Sequence, residues 1–164
     1  MEKKDLQPKS VFEQFARINE IPRPSKREEK MIEYLRQWGE SHNLDTKVDE
    51  TGNVIIRKPA TKGMENRKTV ILQSHMDMVC DKLVDVDFDF DKDAIQTYID
   101  GEWLTAKGTT LGADNGLGIA AIMAVMEDKT LKHGPIEALC TADEETGMYG
   151  ANDLPTGQMN SDIL

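Results

Sequence analysis

The chain has 164 residues, enough for one domain that buries roughly 70% of its unfolded surface. Hydrophobic residues at 38%, aromatics at 5% and charged residues at 30% exclude a disordered or fibrous chain. With 30 acidic against 20 basic residues the formal charge is −10, so no nucleic acid and no membrane surface is expected as a partner.

In chain order, the start Met1-Glu2-Lys3-Lys4-Asp5-Leu6 is charged and lacks the apolar core of a signal peptide. No apolar run approaches the ~20 residues of a membrane span. The expected compartment is therefore the cytoplasm. Two helices follow. Ser10-Val-Phe-Glu13 and Ser25-Lys-Arg-Glu28 match the capping-box pattern, a hydroxyl acceptor followed three residues later by a carboxylate. Phe12, Phe15 and Ile18 recur at helical spacing behind the first, and Met31, Leu35 and Trp38 behind the second. Ile21-Pro-Arg-Pro24 separates them, because neither proline offers an N–H and each restricts its predecessor.

From residue 47 the period changes to two. Thr51-Gly52-Asn53 reads as a turn and Val54-Ile-Ile56 as the strand leaving it. Thr69-Val-Ile-Leu72 is β-branched and nearly all apolar, which predicts a central strand covered on both faces and leading into Gln73-Ser-His-Met-Asp77. Val86 to Phe90 alternates, as an exposed strand or extended loop does. Ile95 to Thr105 reads as a hairpin turning on Asp100-Gly101. A glycine-rich loop, Lys107 to Gly116, precedes Leu117 to Glu127, which is apolar on nearly every face and predicts a buried helix. Lys132 to Pro135 is a turn, and Ile136 to Thr141 another strand. Strand, long excursion, helix and strand predict an α/β fold: a mixed, mostly parallel sheet flanked by helices. Ser161 to Leu164 looks like the opening of a further strand, so a truncated fragment is expected.

Three places set acids or histidine at the carboxyl end of a strand or in the loop after it, where ligands of open α/β sheets bind. In His75-Met-Asp77 both side chains share one face of an extended segment, and Asp77 can hold one ring nitrogen while the other meets a metal. Alone, this pair is more simply a core histidine with an incidental neighbour. Asp114 stands between Gly112 and Gly116, where the backbone can approach another group, and can bridge two cations; it also stands where a helix N-cap is expected. Glu144 and Glu145 lie in a turn ending at Gly147, and two ionised carboxylates held together need a cation or a shared proton. Alone, they are an exposed acidic turn. Together, one imidazole and several carboxylates suit zinc or manganese better than calcium. His42 and His133 read as structural. Cys80 and Cys140 read as free thiols, neither with a good basic neighbour, and no Gly-x-Ser-x-Gly elbow is present, which disfavours nucleophilic catalysis.

Ser74 to Val79, Thr110 to Gly116 and Asp143 to Gly147 resemble the three N-terminal metal-site motifs of the di-zinc aminopeptidase/carboxypeptidase clan. More narrowly they resemble the aminoacyl-histidine (Xaa-His) dipeptidases, through the Asp-Met-Val continuation and the Ala-Asp-Asn-Gly form. The resemblance runs along nearly the whole chain. It implies that His75 binds the first zinc with Asp77 orienting it, that Asp114 bridges both ions, that Glu145 binds the second, and that Glu144 is the general base for a metal-activated water. It further implies two Zn2+, with Mn2+ or Co2+ as substitutes, a small dipeptide as substrate, and residues 1–164 as the N-terminal part of a metallopeptidase catalytic domain. Family members are several hundred residues long and carry two further ligands and a lid domain beyond this stretch. The fragment alone is therefore expected to be inactive and to bind metal weakly or not at all. A homodimer of the longer protein stays open, as do two other readings: a tripeptidase, deacylase or carboxypeptidase of the same clan, and a non-catalytic binding module that keeps the fold.

Overall fold

The computed structural model describes residues 2–164. After a short 3-10 turn at Lys3–Asp5 come helices α1 (Lys9–Ile18) and α2 (Glu29–Ser41), then strands β1 (Asp45–Val48), β2 (Val54–Lys58) and β3 (Val70–His75). A hairpin of β4 (Thr97–Asp100) and β5 (Trp103–Ala106) leads to α3 (Ala113–Glu127), β6 (Ile136–Thr141) and a single turn of helix, α4 (Tyr149–Asn152).

The main sheet runs β1-β2-β6-β3. It is mixed, as expected, but less parallel than expected. β1/β2 and β2/β6 are antiparallel, and only β3/β6 is parallel. The tight turn at 49–53 can only return the chain antiparallel, whereas the long path through the hairpin and α3 permits a crossover. Val54, Ile56, Ile136, Ala138 and Cys140 face one way, into a core shared with Phe15 and Ile18 of α1, Met31, Leu35 and Trp38 of α2, and Ile119, Met123 and Met126 of α3. The spacing that predicted α2 is that of its buried face, and in α1 Phe15 and Ile18 are buried beside Gln14 while Phe12 is only half-buried. Helix α3 is apolar all round because it lies between α1 and strands β3 and β6.

Three expectations change. The strand buried at every position is β6, not β3. β3 stands at the edge of the four-stranded sheet, where Ile71 N–H donates to the Ile163 carbonyl at 2.7 Å. The hairpin turns on Gly101-Glu102, one residue later than expected, with Asp100 opposite Trp103 and Gly101 at the positive φ (60°) that primed turns require. Of the two readings given for Val86 to Phe90, the structure takes the loop. Neither capping box forms. Pro8 caps α1, so Ser10 lies inside the helix, and Glu28 itself occupies the cap position of α2, leaving Ser25 outside it.

On the opposite face of the sheet, Glu137 is buried on β6. It accepts from Arg57 Nε at 2.8 Å, Asn160 N–H at 2.8 Å and Ser161 Oγ at 2.5 Å, while Arg57 Nη2 donates to the Gln158 carbonyl at 2.7 Å. Residues 158–161 are thereby strapped across that face. No helix among the described residues is long and apolar enough to cross a membrane.

Candidate metal centre

Three chain segments meet beyond the carboxyl ends of the parallel pair β3/β6. β3 ends at His75, which is buried, with Asp77 two residues on and fully enclosed. Gly112, in left-handed conformation at φ 67°, turns the chain into α3, and Asp114 and Asn115 depart from helical geometry across a cis peptide. β6 ends at Thr141 and runs into the turn at Asp143–Gly147. A parallel pair sends both chain ends to one edge of the sheet, which is why residues so far apart in sequence converge.

His75 Nε2 stands 3.0 Å from Asp114 Oδ1 and 3.9 Å from Glu144 Oε2. Its Nδ1 faces Asp77, 3.2 Å from the carbonyl and 3.3 Å from Oδ1. One ligand atom each from His75, Asp114 and Glu145 lies within 4.8 Å of the others, so one imidazole nitrogen and two carboxylates form a donor set of the kind zinc and manganese accept. The set opens on a cleft of about 390 Å³ lined also by Val79, Thr110, Leu111 and Gly112. The Asp114 side chain does not cap α3, for which no side-chain cap hydrogen bond forms; it is 82% exposed and turned to His75 instead.

Asp77 joins two of the segments. Its Oδ1 accepts the Glu144 N–H at 3.0 Å, and its Oδ2 accepts the Glu145 N–H at 3.2 Å and the Ser25 hydroxyl at 2.7 Å. Burial disfavours its charge most strongly, yet the His75 contact and these donors outweigh burial and hold the carboxyl at about 2. Burial likewise pulls the His75 imidazole down, but hydrogen bonds to Asp77 and Asp114 and the neighbouring negative charges hold it at about 9. Glu145 is pushed up by desolvation and by Asp114, Glu144 and Asp77, against the pull of His75. Carboxylates crowded in this way gain most from a cation.

All five site residues singled out in the sequence, His75, Asp77, Asp114, Glu144 and Glu145, are therefore gathered here. Sequence reasoning missed Arg23, Ser25 and Glu28, three buried or half-buried residues of the linker between α1 and α2. Their signal was present but read as a helix cap: a hydroxyl followed three residues later by a glutamate, just after an arginine between two prolines. The cysteines are both free; burial pushes the Cys140 thiol up to about 12 and that of Cys80 also upward, which keeps them protonated. His42 caps the end of α2 with Nδ1 at 2.7 Å from the Trp38 carbonyl, and His133 Nδ1 stands 2.7 Å from the Gly134 carbonyl.

Residues 71–162 match the model of peptidase family M20/M25/M40. The chain is 51% identical over 159 residues to the cytosol non-specific dipeptidase of Escherichia coli (strain K12), a match covering 97% of this chain and 33% of that relative. The crystal structure of aminoacylhistidine dipeptidase from Vibrio alginolyticus superposes with a TM-score of 0.96 at 54% identity, covering 100% of this chain and 34% of that one. Aminopeptidase PepT from Bacillus cereus follows the same fold with a TM-score of 0.76 at 25% identity, covering 94% of this chain and 42% of its own. The chain thus spans about a third of the length of the E. coli relative and of the Vibrio structure.

Proposed function

The chain belongs to peptidase family M20/M25/M40, and from that premise we propose that it supplies the N-terminal part of the catalytic domain of a metal-dependent dipeptidase acting on Xaa-His dipeptides. The observation that carries the proposal is the meeting of His75, Asp114 and Glu145 within 4.8 Å, beside Glu144. The likeness to a cytosol non-specific dipeptidase supports dipeptides as the substrate class and a cytoplasmic site of action, and the likeness to an aminoacylhistidine dipeptidase supports Xaa-His among them.

One imidazole and two carboxylates suit a divalent cation, and we read them as part of a site for two Zn2+ ions, with Mn2+ or Co2+ as substitutes. When bound, divalent cations there would acidify a water and draw charge from the peptide carbonyl oxygen. His75 would hold the first ion through Nε2, its Nδ1 side being tied to Asp77. Asp114, at the exposed edge of the group, would bridge the two ions, and Glu145 would serve the second. Glu144 would act as general base, taking a proton from the water and delivering it to the leaving amine. Its position is set by its own backbone, whose amide is bound to the buried Asp77. The remaining ligands and a lid over the cleft would come from sequence outside residues 1–164, so these residues alone would turn over no dipeptide and hold metal weakly.

The test is metal content and Xaa-His hydrolysis on a longer protein carrying these residues, beside its Glu144→Gln and His75→Ala forms. Glu144→Gln should abolish turnover while metal stays, and His75→Ala should lose both. A protein that binds no metal and cleaves nothing would leave a binding module. Cleavage confined to tripeptides or acylated substrates would transfer the same chemistry to a sister enzyme.

A further inference from the structure

The linker between α1 and α2 touches every segment of the metal centre. The buried Arg23 guanidinium donates to the Gly112 carbonyl at 2.7 Å and to the Met76 and Asp77 carbonyls at 3.4 Å. Ser25 donates to Asp77, as described. Glu28, only 5% exposed, accepts two backbone amides on one oxygen, Lys26 N–H and Asp143 N–H, each at 3.0 Å. The second of these spans 115 residues of sequence.

Asp143 is the residue on which the chain turns out of β6. It holds φ at 48°, left-handed backbone that a residue with a Cβ seldom adopts. Three successive amides follow the turn, and each ends on a carboxylate: Asp143 on Glu28, Glu144 and Glu145 on Asp77. Asp77 holds the latter two directly. The first, at the residue that takes the unusual conformation, depends on Glu28.

The geometry points to Glu28 as a positioning residue for the acidic turn: by receiving the Asp143 amide it fixes the direction in which Glu144 and Glu145 leave the sheet. The consequence for catalysis rests on the dipeptidase reading; the grip on the turn does not. Removing the carboxylate strands a half-buried amide and frees the left-handed residue to relax, which swings both glutamates away from His75. Glu28→Gln keeps an acceptor oxygen at the same reach, and its NH2 can face the carboxylates of Asp77 and Asp143, which lie within 4.8 Å. Glu28→Asp keeps the charge but falls one methylene short.

Two readouts on the 164-residue chain test this: amide hydrogen exchange, and titration with Co2+ followed by its visible absorption. Glu28→Ala and Glu28→Asp should speed exchange at residues 143–145 by about tenfold or more while the amides of β2 and β6 keep their protection. Glu28→Gln should stay within about threefold of the parent. Where Co2+ binds, its affinity should weaken by about 10–100-fold in the Ala and Asp forms and recover in the Gln form. Unchanged exchange at 143–145 in a folded Ala or Asp variant overturns the proposal, and so does a Gln variant as loose as the Ala one. Should the Ala form not fold, the contrast between Asp and Gln decides. If the parent takes up no Co2+ although the exchange pattern holds, the weak-binding expectation for the isolated chain stands and Glu28 keeps its place.

Discussion

Replacing Asp77 by asparagine changes no volume and removes one acceptor from a fully enclosed position. The carboxylate serves three donors beside the imidazole: Glu144 N–H, Glu145 N–H and the Ser25 hydroxyl. An amide can place its oxygen toward only one of the two backbone donors. The favourable orientation keeps the shorter bond, to Glu144 at 3.0 Å, and turns NH2 toward Glu145 and Ser25. Ser25 can rotate to accept, but the Glu145 amide is left facing another donor, at a cost of about 1–3 kcal/mol. Weakening the charge-assisted contact to His75 adds about 1 kcal/mol. The sum is about 3 kcal/mol. In urea, with m about 2 kcal/mol/M for a small protein, the midpoint should fall by about 1.5 M, and Tm by roughly 6–12 °C. The measurement is made in chelator, beside His75→Ala and the double variant, so that the coupling between the two residues is read directly. A midpoint shift below roughly 0.3 M would refute the assignment of Asp77 as the clamp on this turn.

Gly150→Ala places a Cβ against the Ala142 carbonyl and Asn53 Oδ1, which join the turn after β6 to the turn after β1, so overpacking there should cost about 1–3 kcal/mol in urea unfolding. Gly63→Ala is the matched control, since its Cβ meets nothing within 4 Å and only the strain of its positive φ remains. Glu137 resists burial through Ser161, Arg57 and Asn160, and its carboxyl is held below the usual value. The stability it contributes is therefore complete above its unfolded pKa and lost as pH falls through its folded one. Urea midpoints from pH 6 down to pH 3 should converge with those of Glu137→Gln, and parallel curves would refute the strap across the sheet.

Local elements were legible wherever one period dominated. Phe15 and Ile18, and Met31, Leu35 and Trp38, have no better burial than one helical face, and the structure buries them, while Phe12 is only half-buried. The all-round apolar α3 and the strand at 136–141 were equally plain. What failed was rank within the sheet. Val70 to Leu72 looks fully enclosed because it is β-branched and apolar, but here it is half-buried, paired with β6 on one side and joined on the other by the parallel bridge from Ile163. Partners distant in sequence, not composition, decide which strand is enclosed. The proportion of parallel pairing was misjudged for the same reason.

The sequence alone pointed to the candidate donors His75, Asp114, Glu144 and Glu145 through three ordered motifs and their resemblance to a known metal site, since each motif taken singly had a plainer structural reading. Their assembly was decided only by tertiary structure. The parallel pairing of β3 and β6 brings three loops to one edge, and the exchange of backbone amides for buried carboxylates orients them. Ser25 and Glu28 show the limit most clearly. Hydroxyl and carboxylate at three-residue spacing satisfy a helix terminus and a distant turn equally well, and a local pattern cannot say which donors will be buried beside it.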